Sequence, residues 1–566
     1  MRLILNICTV VALFGSMGSV GAQTQREPVM SQISHPHNYY WREMYLPQLT
    51  TGPSSAAFSP DGKSIIYSMQ GSLWRQDVDS GTAYQLTNTN GYDYQPDWSP
   101  DGQFVIFTRQ IDNALNLVLF DLKTEKESVL TKGPTTNLEP RWSPDGKKVA
   151  FISSRLGGYW GLYVADFEKL DLKNIKPLVA GHKSKRDRYY YSQTDHVINP
   201  SWSPDGSRIF YVSNEEAAWG SGDIWSLDVN DSQDKKRILV EETTWSARPE
   251  LAHDGKRLLY SSYQGRQWHQ LWLTTTDGLS PLPLTFGDYD IQKARWSKDD
   301  KYLLYISNET SGLTLWRHTV VGGARKQIIA QHKIYKSPMV RIDIALEDDK
   351  GVALDGRVIL QGADGRHYAP DDSRMHADDY LDPKQTERET HYFHCLKTCQ
   401  AMVPAGAVTV QAMSGYGHTL ASAQVMAEGK TQRVDLTLPN IELPKEFGTY
   451  VSADMHVHMN YGGQYKQTKV GLAKQAKAEG LDIVYNLLVN KEQRIPDIAE
   501  FKTTKDVIDG VTIYQAQEFH SSYWGHMSFL HLDDHLLTPD FTSYRHTALS
   551  SPYPTNGVMI DLAREQ

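Results

Sequence analysis

Three scarcities narrow what this 566-residue chain can be. It has only three cysteines, which excludes a disulfide-rich scaffold. No segment reaches the roughly 18 consecutive apolar residues that a membrane-spanning helix needs. Charge of one sign is not in large excess: the formal net charge is −9, with both signs mixed along the chain. This balance argues against binding to nucleic acid or to an anionic membrane, and the length indicates three or four domains.

The N-terminus has the pattern of a secretory signal peptide over residues 1–22. Arg2 supplies the positive charge, Leu3 to Phe14 is mostly apolar, and the small residues Val20 to Ala22 suit cleavage after Ala22. An uncleaved anchor is the alternative interpretation. The pattern predicts a periplasmic or secreted protein, in which residues 23–54 form an N-terminal segment ahead of the first folded domain.

Cys395 and Cys399 are the two cysteines outside the signal. An oxidising compartment lets them pair, and a three-residue hairpin loop between two strand-like runs would place their sulfurs opposite each other. The nearby His391 and His394 suggest a metal site as the alternative. Their odd spacing puts these two histidines on opposite faces of a strand, so a disulfide is favoured.

One turn signature recurs six times between residues 55 and 325, most clearly as aromatic-Ser-Pro-Asp-Gly. Proline fixes the backbone at the first central turn position, and glycine suits the left-handed position that ends the turn. Apolar runs on either side give about four short strands per repeat of 40 to 60 residues, which is the spacing of propeller blades. The turn acids are Asp61, Asp101, Asp145, Asp205, Asp254 and Asp299.

These repeats resemble TolB-type propellers with WD-like blades and cover about half of the chain. The resemblance predicts an all-β, six-bladed propeller over residues 55–335, which could bind a protein partner. The longest repeat, between Asp145 and Asp205, holds an insertion that either lines the channel mouth or is a longer blade loop. Fold alone does not separate a binding role from a catalytic one.

Residues 338–445 have a different strand spacing, in which apolar and polar residues alternate as they do in half-buried strands. The pattern resembles a small Ig-like or prealbumin-like β-sandwich. We expect this domain to serve as a spacer or a lid.

The strongest chemical motif is Asp454-Met-His456-Val-His458, which begins a third region, residues 448–566. Residues two apart on a strand share a face, so both imidazoles and the Asp454 carboxylate point the same way and can bind one divalent metal. A helix-like stretch and a second strand follow, and this alternation of strand and helix is typical of a βα barrel. A third strand ends in Glu518-Phe-His520, and Gly525-His526 comes next.

These motifs resemble the polymerase-and-histidinol-phosphatase (PHP) metallohydrolases. The phrases at His458 to Gly463, Val489 to Gln493 and Tyr523 to His526 are similar to the CehA/McbA branch, which often carries a TolB-like propeller. The resemblance implies two divalent ions, zinc, manganese or iron, bridged by Glu518. From residue 448 onward only four strand-like segments follow, too few to close a barrel, and the resemblance implies further ligands that are missing here. We therefore expect an incomplete α/β barrel in a C-terminally truncated chain. The expected ligands are His456, His458, Glu518, His526 and Asp454.

The family's usual Asp-His pair after the second strand is absent, and Asn486, Asn490 or Glu492 stands in its place. His520 and Glu492 are the candidate catalytic residues, with His520 either supporting a ligand or polarising the substrate. The implied function is hydrolysis of an ester, carbamate, amide or phosphoester by a metal-activated water, acting on a small-molecule or peptide-like substrate. The alternative is a noncatalytic envelope-binding protein that carries a degenerate or truncated hydrolase domain.

Overall fold

The computed structural model describes most of the chain beyond the N-terminus. The predicted signal peptide, most of the N-terminal segment and Glu492 lie outside the described residues. No helix in the described part is both long enough and apolar enough to cross a membrane. The described ranges are 49–111, 114–185, 194–216, 222–243, 247–263, 268–310, 312–377, 390–460, 465–489, 495–520, 524–536 and 554–566.

The first half of the chain folds into six four-stranded antiparallel sheets, each built from one continuous stretch of sequence. The first three blades contain β1 (Pro53–Phe58), β2 (Ser64–Met69), β3 (Ser72–Asp77) and β4 (Thr82–Gln85); β5 (Tyr92–Trp98), β6 (Phe104–Ile111), β7 (Ala114–Asp121) and β8 (Lys126–Val129); and β9 (Asn137–Trp142), β10 (Lys148–Leu156), β11 (Tyr159–Glu168) and β12 (Asp171–Val179).

The insertion after the third blade contains a two-stranded ribbon, β13 (His182–Lys183) with β14 (Thr194–Asp195). The last three blades contain β15 (Val197–Trp202), β16 (Arg208–Ser213), β17 (Gly222–Asp228) and β18 (Lys235–Thr243); β19 (Glu250–Leu251), β20 (Arg257–Ser262), β21 (Gln270–Thr275) and β22 (Leu282–Pro283); and β23 (Ile291–Trp296), β24 (Tyr302–Thr310), β25 (Gly312–Thr319) and β26 (Arg325–Ile328).

The recurring turn joins the first two strands of each blade and is held by its own side chains. In the first blade Ser59 Oγ donates to Asp61 Oδ1 at 2.6 Å, and Lys63 N donates to the same oxygen at 3.1 Å. Gly62 has φ +70°, the left-handed conformation that the sequence pattern requires. The same serine-to-aspartate bond recurs at Asp101, Asp145, Asp205 and Asp299.

The blades form a closed ring, because each innermost strand packs against the next blade and β1 packs against β23 and β24. A further strand, β27 (His332–Ile334), runs parallel to β4 on the outer edge of the first blade. This strand follows the sixth blade in sequence and ties the two ends of the ring together.

A cluster of four charged side chains, two buried carboxylates and two half-buried arginines, crosses the central channel of the propeller. Arg295 contacts Asp97 at 2.6 Å and Glu250 at 2.7 Å. Arg141 contacts Glu250 at 2.9 Å and approaches Asp97 at 3.9 Å. The two carboxylates also accept the backbone N–H groups of Trp142 and Trp296. We call these four charged residues, which come from four different blades, the channel plug.

The second region is a β-sandwich whose two sheets share one apolar core. In one sheet the central strand is antiparallel to one neighbour and parallel to the other. That sheet has the order β33 (Thr398–Pro404), β28 (Met339–Asp348), β36 (Thr431–Leu438). The other contains β29 (Asp355–Gln361), β30 (His367–Tyr368), β31 (His376–Ala377), β32 (His391–Leu396), β34 (Gly406–Met413) and β35 (Ala421–Ala427).

Cys395 and Cys399 form the expected disulfide, with their Cα atoms 5.5 Å apart. The expected hairpin around them is wrong. The strands before and after Lys397 pair with different partners and belong to opposite sheets of the sandwich. Lys397 has φ +66° and turns the chain from one sheet to the other. The disulfide therefore links the two sheets at this corner.

The third region is a small mixed sheet. Three parallel strands, β37 (Ala453–Val457), β38 (Ile483–Val489) and β40 (Val511–Phe519), lie side by side, and β39 (Asp506–Ile508) and β41 (Met527–Phe529) pair with β40 in the antiparallel sense. Among its described residues the helices are α1 (Lys469–Ala478) and α2 (Asn556–Arg564), with 3-10 turns at Lys445–Phe447 and Ile498–Glu500. The described chain is thus mostly β. Its third region contains one βαβ unit, and the α/β barrel stays a prediction.

Charged residues fix the neighbouring regions against each other. Buried Arg366 of the sandwich donates to Ser72 Oγ and to the Thr89 carbonyl of the propeller. Glu479, at the end of α1, accepts from Arg357 Nε at 2.9 Å and lies 2.7 Å from His394 Nε2. His394 therefore belongs to the contact between the sandwich and the third region. Among the described residues, His394 and the cysteines do not form a cluster of metal ligands.

Candidate metal centre

The candidate site lies where three parallel strands end. Because these strands run in the same direction, the residues at their carboxyl ends meet at one edge of the sheet. His456 and His458 stand at the end of β37, and Glu518 stands near the end of β40. His526 follows in the connection to β41, which folds back against β40. Residues 70 positions apart in sequence are therefore brought to one place.

Glu518 is the centre of this cluster. Its side chain is only 3 % exposed, and three imidazoles approach its two carboxylate oxygens from different sides. Oε2 lies 3.0 Å from His456 Nε2 and 2.8 Å from His458 Nε2. Oε1 lies 2.7 Å from His526 Nδ1. Each oxygen thus has its own histidine neighbours, as a carboxylate that bridges two ions requires.

The orientation of His458 is set by the backbone. Its Nδ1 lies 2.9 Å from the carbonyl oxygen of Leu487, so Nδ1 carries the proton and donates. The lone pair of a neutral ring is then on Nε2, the atom that faces Glu518. A metal-binding histidine is commonly held in this way by a carbonyl behind it. Without a metal ion, a direct hydrogen bond from Nε2 to the Glu518 carboxylate requires the doubly protonated, cationic ring.

The donor set fits a divalent transition metal. One ligand atom each from His456, His458 and Glu518 falls within 4.8 Å of the others, and within the described chain this is the one group of three or more His, Cys, Asp or Glu residues that meets that distance. Nitrogen and oxygen donors at this spacing suit zinc, manganese or iron. The Glu518 side chain is buried, whereas the His456 side chain is 52 % exposed, so solvent reaches the site from the His456 side.

The electrostatics of the cluster favour an ionised carboxylate. Burial raises the pKa of Glu518, but hydrogen bonding from His458 and His526 outweighs burial and holds it well below its ordinary value. An ionised carboxylate is the form in which Glu518 can bind a divalent metal.

Asp454 does not join the cluster. Its Oδ1 accepts the backbone N–H of His456 at 2.9 Å, so this carboxylate caps its own strand. The pairing register of β37 against β38 shifts between Asp454 and Val457. Such a bulge breaks the two-residue alternation, which is why Asp454 and His456 do not follow the expected common face.

His520 is buried, with an exposed fraction of 2 %, and its ring meets that of His526 edge-on at 4.0 Å between centroids. This placement suits a residue that positions His526. Asn486, considered as a substitute ligand, has both amide functions engaged: Oδ1 accepts from Met459 N, and Nδ2 donates to Gln515 Oε1. Asn486 thus fixes the strand end behind the histidines.

The sequence interpretation missed a clamp under the loop that follows His458. Asp497 accepts both the backbone N–H and the side-chain amide of Asn460, at 3.1 and 2.8 Å. Burial raises the pKa of Asp497 above its ordinary value. Asn460 Oδ1 also accepts from Gln467 N at 2.8 Å.

Comparison with known proteins adds the following. The family model described as "TolB beta propeller domain" matches residues 43–177. Dipeptidyl-peptidase 5 of Porphyromonas gingivalis is 23% identical over 348 residues, which are 52% of this chain and 50% of that protein. An uncharacterized protein of Agrobacterium fabrum is 27% identical over 164 residues, 27% of this chain and 53% of that one. The chain spans about half the length of these curated relatives.

Among solved structures, TolB from Acinetobacter baumannii matches 50% of this chain and 64% of its own length, with 18% identity and a TM-score of 0.39. A puromycin-hydrolyzing peptidase of Mycobacterium tuberculosis matches 59% of this chain and 52% of its own length, with 14% identity and a TM-score of 0.36. The blades described above and the family match agree on the first half of the molecule: the chain contains a TolB-like β-propeller.

Proposed function

We propose that residues 448–566 form a divalent-metal site of the PHP type, similar to the CehA/McbA branch, which supports hydrolysis of an ester, amide, carbamate or phosphoester. The observation that carries the proposal is the buried Glu518 carboxylate, contacted on both oxygens by three histidines. Imidazole nitrogens gathered around a buried carboxylate are the donor set that a divalent-metal site requires.

In this proposal His456, His458 and Glu518 would hold one ion, and His526 would help Glu518 to hold a second. A bound metal ion supplies an activated water and stabilises negative charge on the substrate. The Leu487 carbonyl keeps His458 in the tautomer that binds, and His520 positions His526. The exposed side of His456 is the face from which a substrate enters.

Two further observations bear on substrate and location. The relative from Porphyromonas gingivalis is named a dipeptidyl-peptidase, so peptide bonds belong among the substrates to be tested. A disulfide persists in oxidising compartments, and Cys395–Cys399 therefore supports our proposal of a periplasmic or secreted protein.

The deciding experiment is elemental analysis of the purified full chain, compared with a variant carrying His456→Ala and His458→Ala. We expect the variant to lose its metal and to keep the unfolding midpoint of the propeller, because the metal site and the propeller blades lie in separate sheets. His332→Ala, an exposed histidine on β27, is the matched control and keeps its metal. Unchanged metal content in the double variant would refute the ligand assignment.

A second function, binding without catalysis, is favoured by a polar cavity in the propeller that is separate from the metal site. The two functions are distinguished by adding zinc or manganese and assaying panels of esters, phosphoesters, carbamates and dipeptides. Turnover that disappears in the double variant supports the hydrolase. Stoichiometric metal without turnover of any class supports the binding protein.

A further inference from the structure

The strand β35 (Ala421–Ala427) lies at an open edge of the β-sandwich. It pairs with β34 on one side over seven residues, and among the described residues no strand pairs with its other side. In the described part of the chain, the polar groups of β35 have no hydrogen-bond partner outside that pairing. Every second residue of an antiparallel edge strand directs its N–H and C=O groups away from the sheet. These groups are therefore available to another strand.

The core beneath this edge is incompletely covered. On β34 the core-facing residues Val408 and Val410 are at most 1 % exposed. On β35 the side chains of Ala423 and Val425 pack against the same core but are only half-buried. A further strand beside β35 would remove this apolar surface from water, which favours its binding.

The sequence of β35 lacks the residues that usually protect an open edge. Natural edge strands carry lysine, other charges or proline, which hinder pairing with a second chain. The outer propeller strands β8, β12, β18 and β26 each contain lysine. In the other sheet of the sandwich, β36 contains Arg433 and Asp435. By contrast, β35 reads Ala-Ser-Ala-Gln-Val-Met-Ala and has neither a charge nor a proline.

A second edge strand of the sandwich, β33, is also uncharged. It ends in Pro404, and it lines a cavity together with Pro370 and Ser373, so another part of the chain lies beside it. The exposed side chains of Ser422, Gln424 and Met426 show that β35 is accessible to solvent. Of these two uncharged edges, β35 is therefore the one that a second chain can reach.

We propose that β35 pairs with β35 of a second copy of this chain, in antiparallel orientation about a two-fold axis at Gln424. Two-fold pairing is self-complementary, so a charged residue at the axis faces its own like charge, which is unfavourable. A different protein is commonly selected by complementary charge, and β35 offers none. The neutral sequence of this strand thus favours its own copy. The proposal does not rest on the metal centre.

A register centred on Gln424 uses the whole strand. The two Gln424 side chains face each other, and each amide can donate to the carbonyl oxygen of the other. On the core side, Ala423 lies opposite Val425 of the partner subunit, which covers the half-buried core. At each end of the pairing, Leu420 lies near Met426 of the partner subunit; these two side chains are 55 % and 54 % exposed in the single chain.

The test is sedimentation equilibrium of the purified full chain over a range of concentrations. We expect the wild-type chain to form a dimer whose share rises with concentration. Gln424→Lys and Gln424→Glu each place two like charges opposite each other, and each should raise the dissociation constant about tenfold or more. The two variants mixed in equal amounts pair opposite charges and should recover the dimer. Such recovery shows that both variants are folded and that position 424 lies at the axis.

Gln400→Lys is the matched control, because Gln400 is an exposed glutamine on β33, at the edge of the other sheet. This variant should keep the wild-type dissociation constant. A wild-type chain that stays monomeric at every concentration would overturn the proposal, as would a dimer that both Gln424 variants leave intact. Failure of the mixture to recover the dimer also contradicts it, since the axis then does not lie at Gln424.

Discussion

Replacing Asp97 with Asn tests whether the channel plug holds the propeller together. Asp97 is 8 % exposed at its side chain and contacts Arg295 at 2.6 Å. It also accepts the backbone N–H of Trp142, in the next blade, at 2.7 Å. The substitution keeps the size of the side chain and removes its charge, so Arg141 and Arg295 are left with Glu250 alone.

The magnitude follows from burial. Breaking a buried ion pair by removing one partner costs about 3–5 kcal/mol, because the other charge stays desolvated. The amide oxygen of Asn still accepts from Trp142 N, which places the loss near the lower end, at about 3 kcal/mol. With a urea m-value near 3 kcal/mol/M, the midpoint of propeller unfolding falls by about 1 M.

The assay is equilibrium unfolding in urea followed by tryptophan fluorescence, since the inner strands carry Trp142 and Trp296. Asp101→Asn is the matched control: Asp101 is an exposed turn residue of the same blade, and Asn can replace its bonds to Ser99 and Gln103. We expect the control to shift the midpoint by less than a third of the Asp97→Asn effect. Equal midpoints for the two variants would refute the role given to the plug.

Two further predictions concern the pH dependence of stability and the contribution of the disulfide. Burial raises the pKa of Glu250, but Arg295 and Arg141 outweigh burial and hold the pKa below its ordinary value, so the stabilisation is present above that ordinary value and is lost as the pH falls through the lowered pKa. The difference in urea midpoint between wild type and Glu250→Gln should therefore shrink as the pH is lowered below the ordinary pKa of a glutamate carboxyl, and a constant difference would contradict this reasoning. Replacing Cys395 and Cys399 with Ser should cost about 2 kcal/mol by the chain-entropy estimate for a short loop. Two thiols titrated in the unfolded, unreduced wild-type chain would show that no bond forms.

Local chemistry made the propeller predictable from sequence. A turn such as Ser59 to Gly62 needs proline, aspartate and glycine at fixed positions, and four full copies with two weaker ones leave few alternatives. The positive φ values near the start of the blades were not anticipated, although a signal was present. Four of the residues that have them, Gln95, Glu139, Asn199 and Arg248, each precede a proline by one position. Their side-chain partners lie in neighbouring blades, so no local pattern reveals them.

The sandwich and the metal centre show the limits of strand periodicity. The strands around Lys397 alternate in the same way, and their separation into two sheets depends on distant core partners such as Ile344 and Val358. At the candidate site, alternation placed His456 and His458 on one side, and their rings lie 5.0 Å apart. It failed for Asp454, because a bulge is a property of the pairing between two strands.

The position of β27 has a consequence for how the molecule is assembled during synthesis. Each blade is made of consecutive strands, so it can form as soon as its own 40 to 60 residues have left the ribosome, without waiting for a distant segment. The exception is the pairing of His332–Ile334 with Thr82–Tyr84, a contact across about 250 residues. Contacts of such long range form late and slowly. Ring closure is therefore expected to be the last step in propeller biogenesis, and until it occurs the outer edge of the first blade is a site for chaperones to protect.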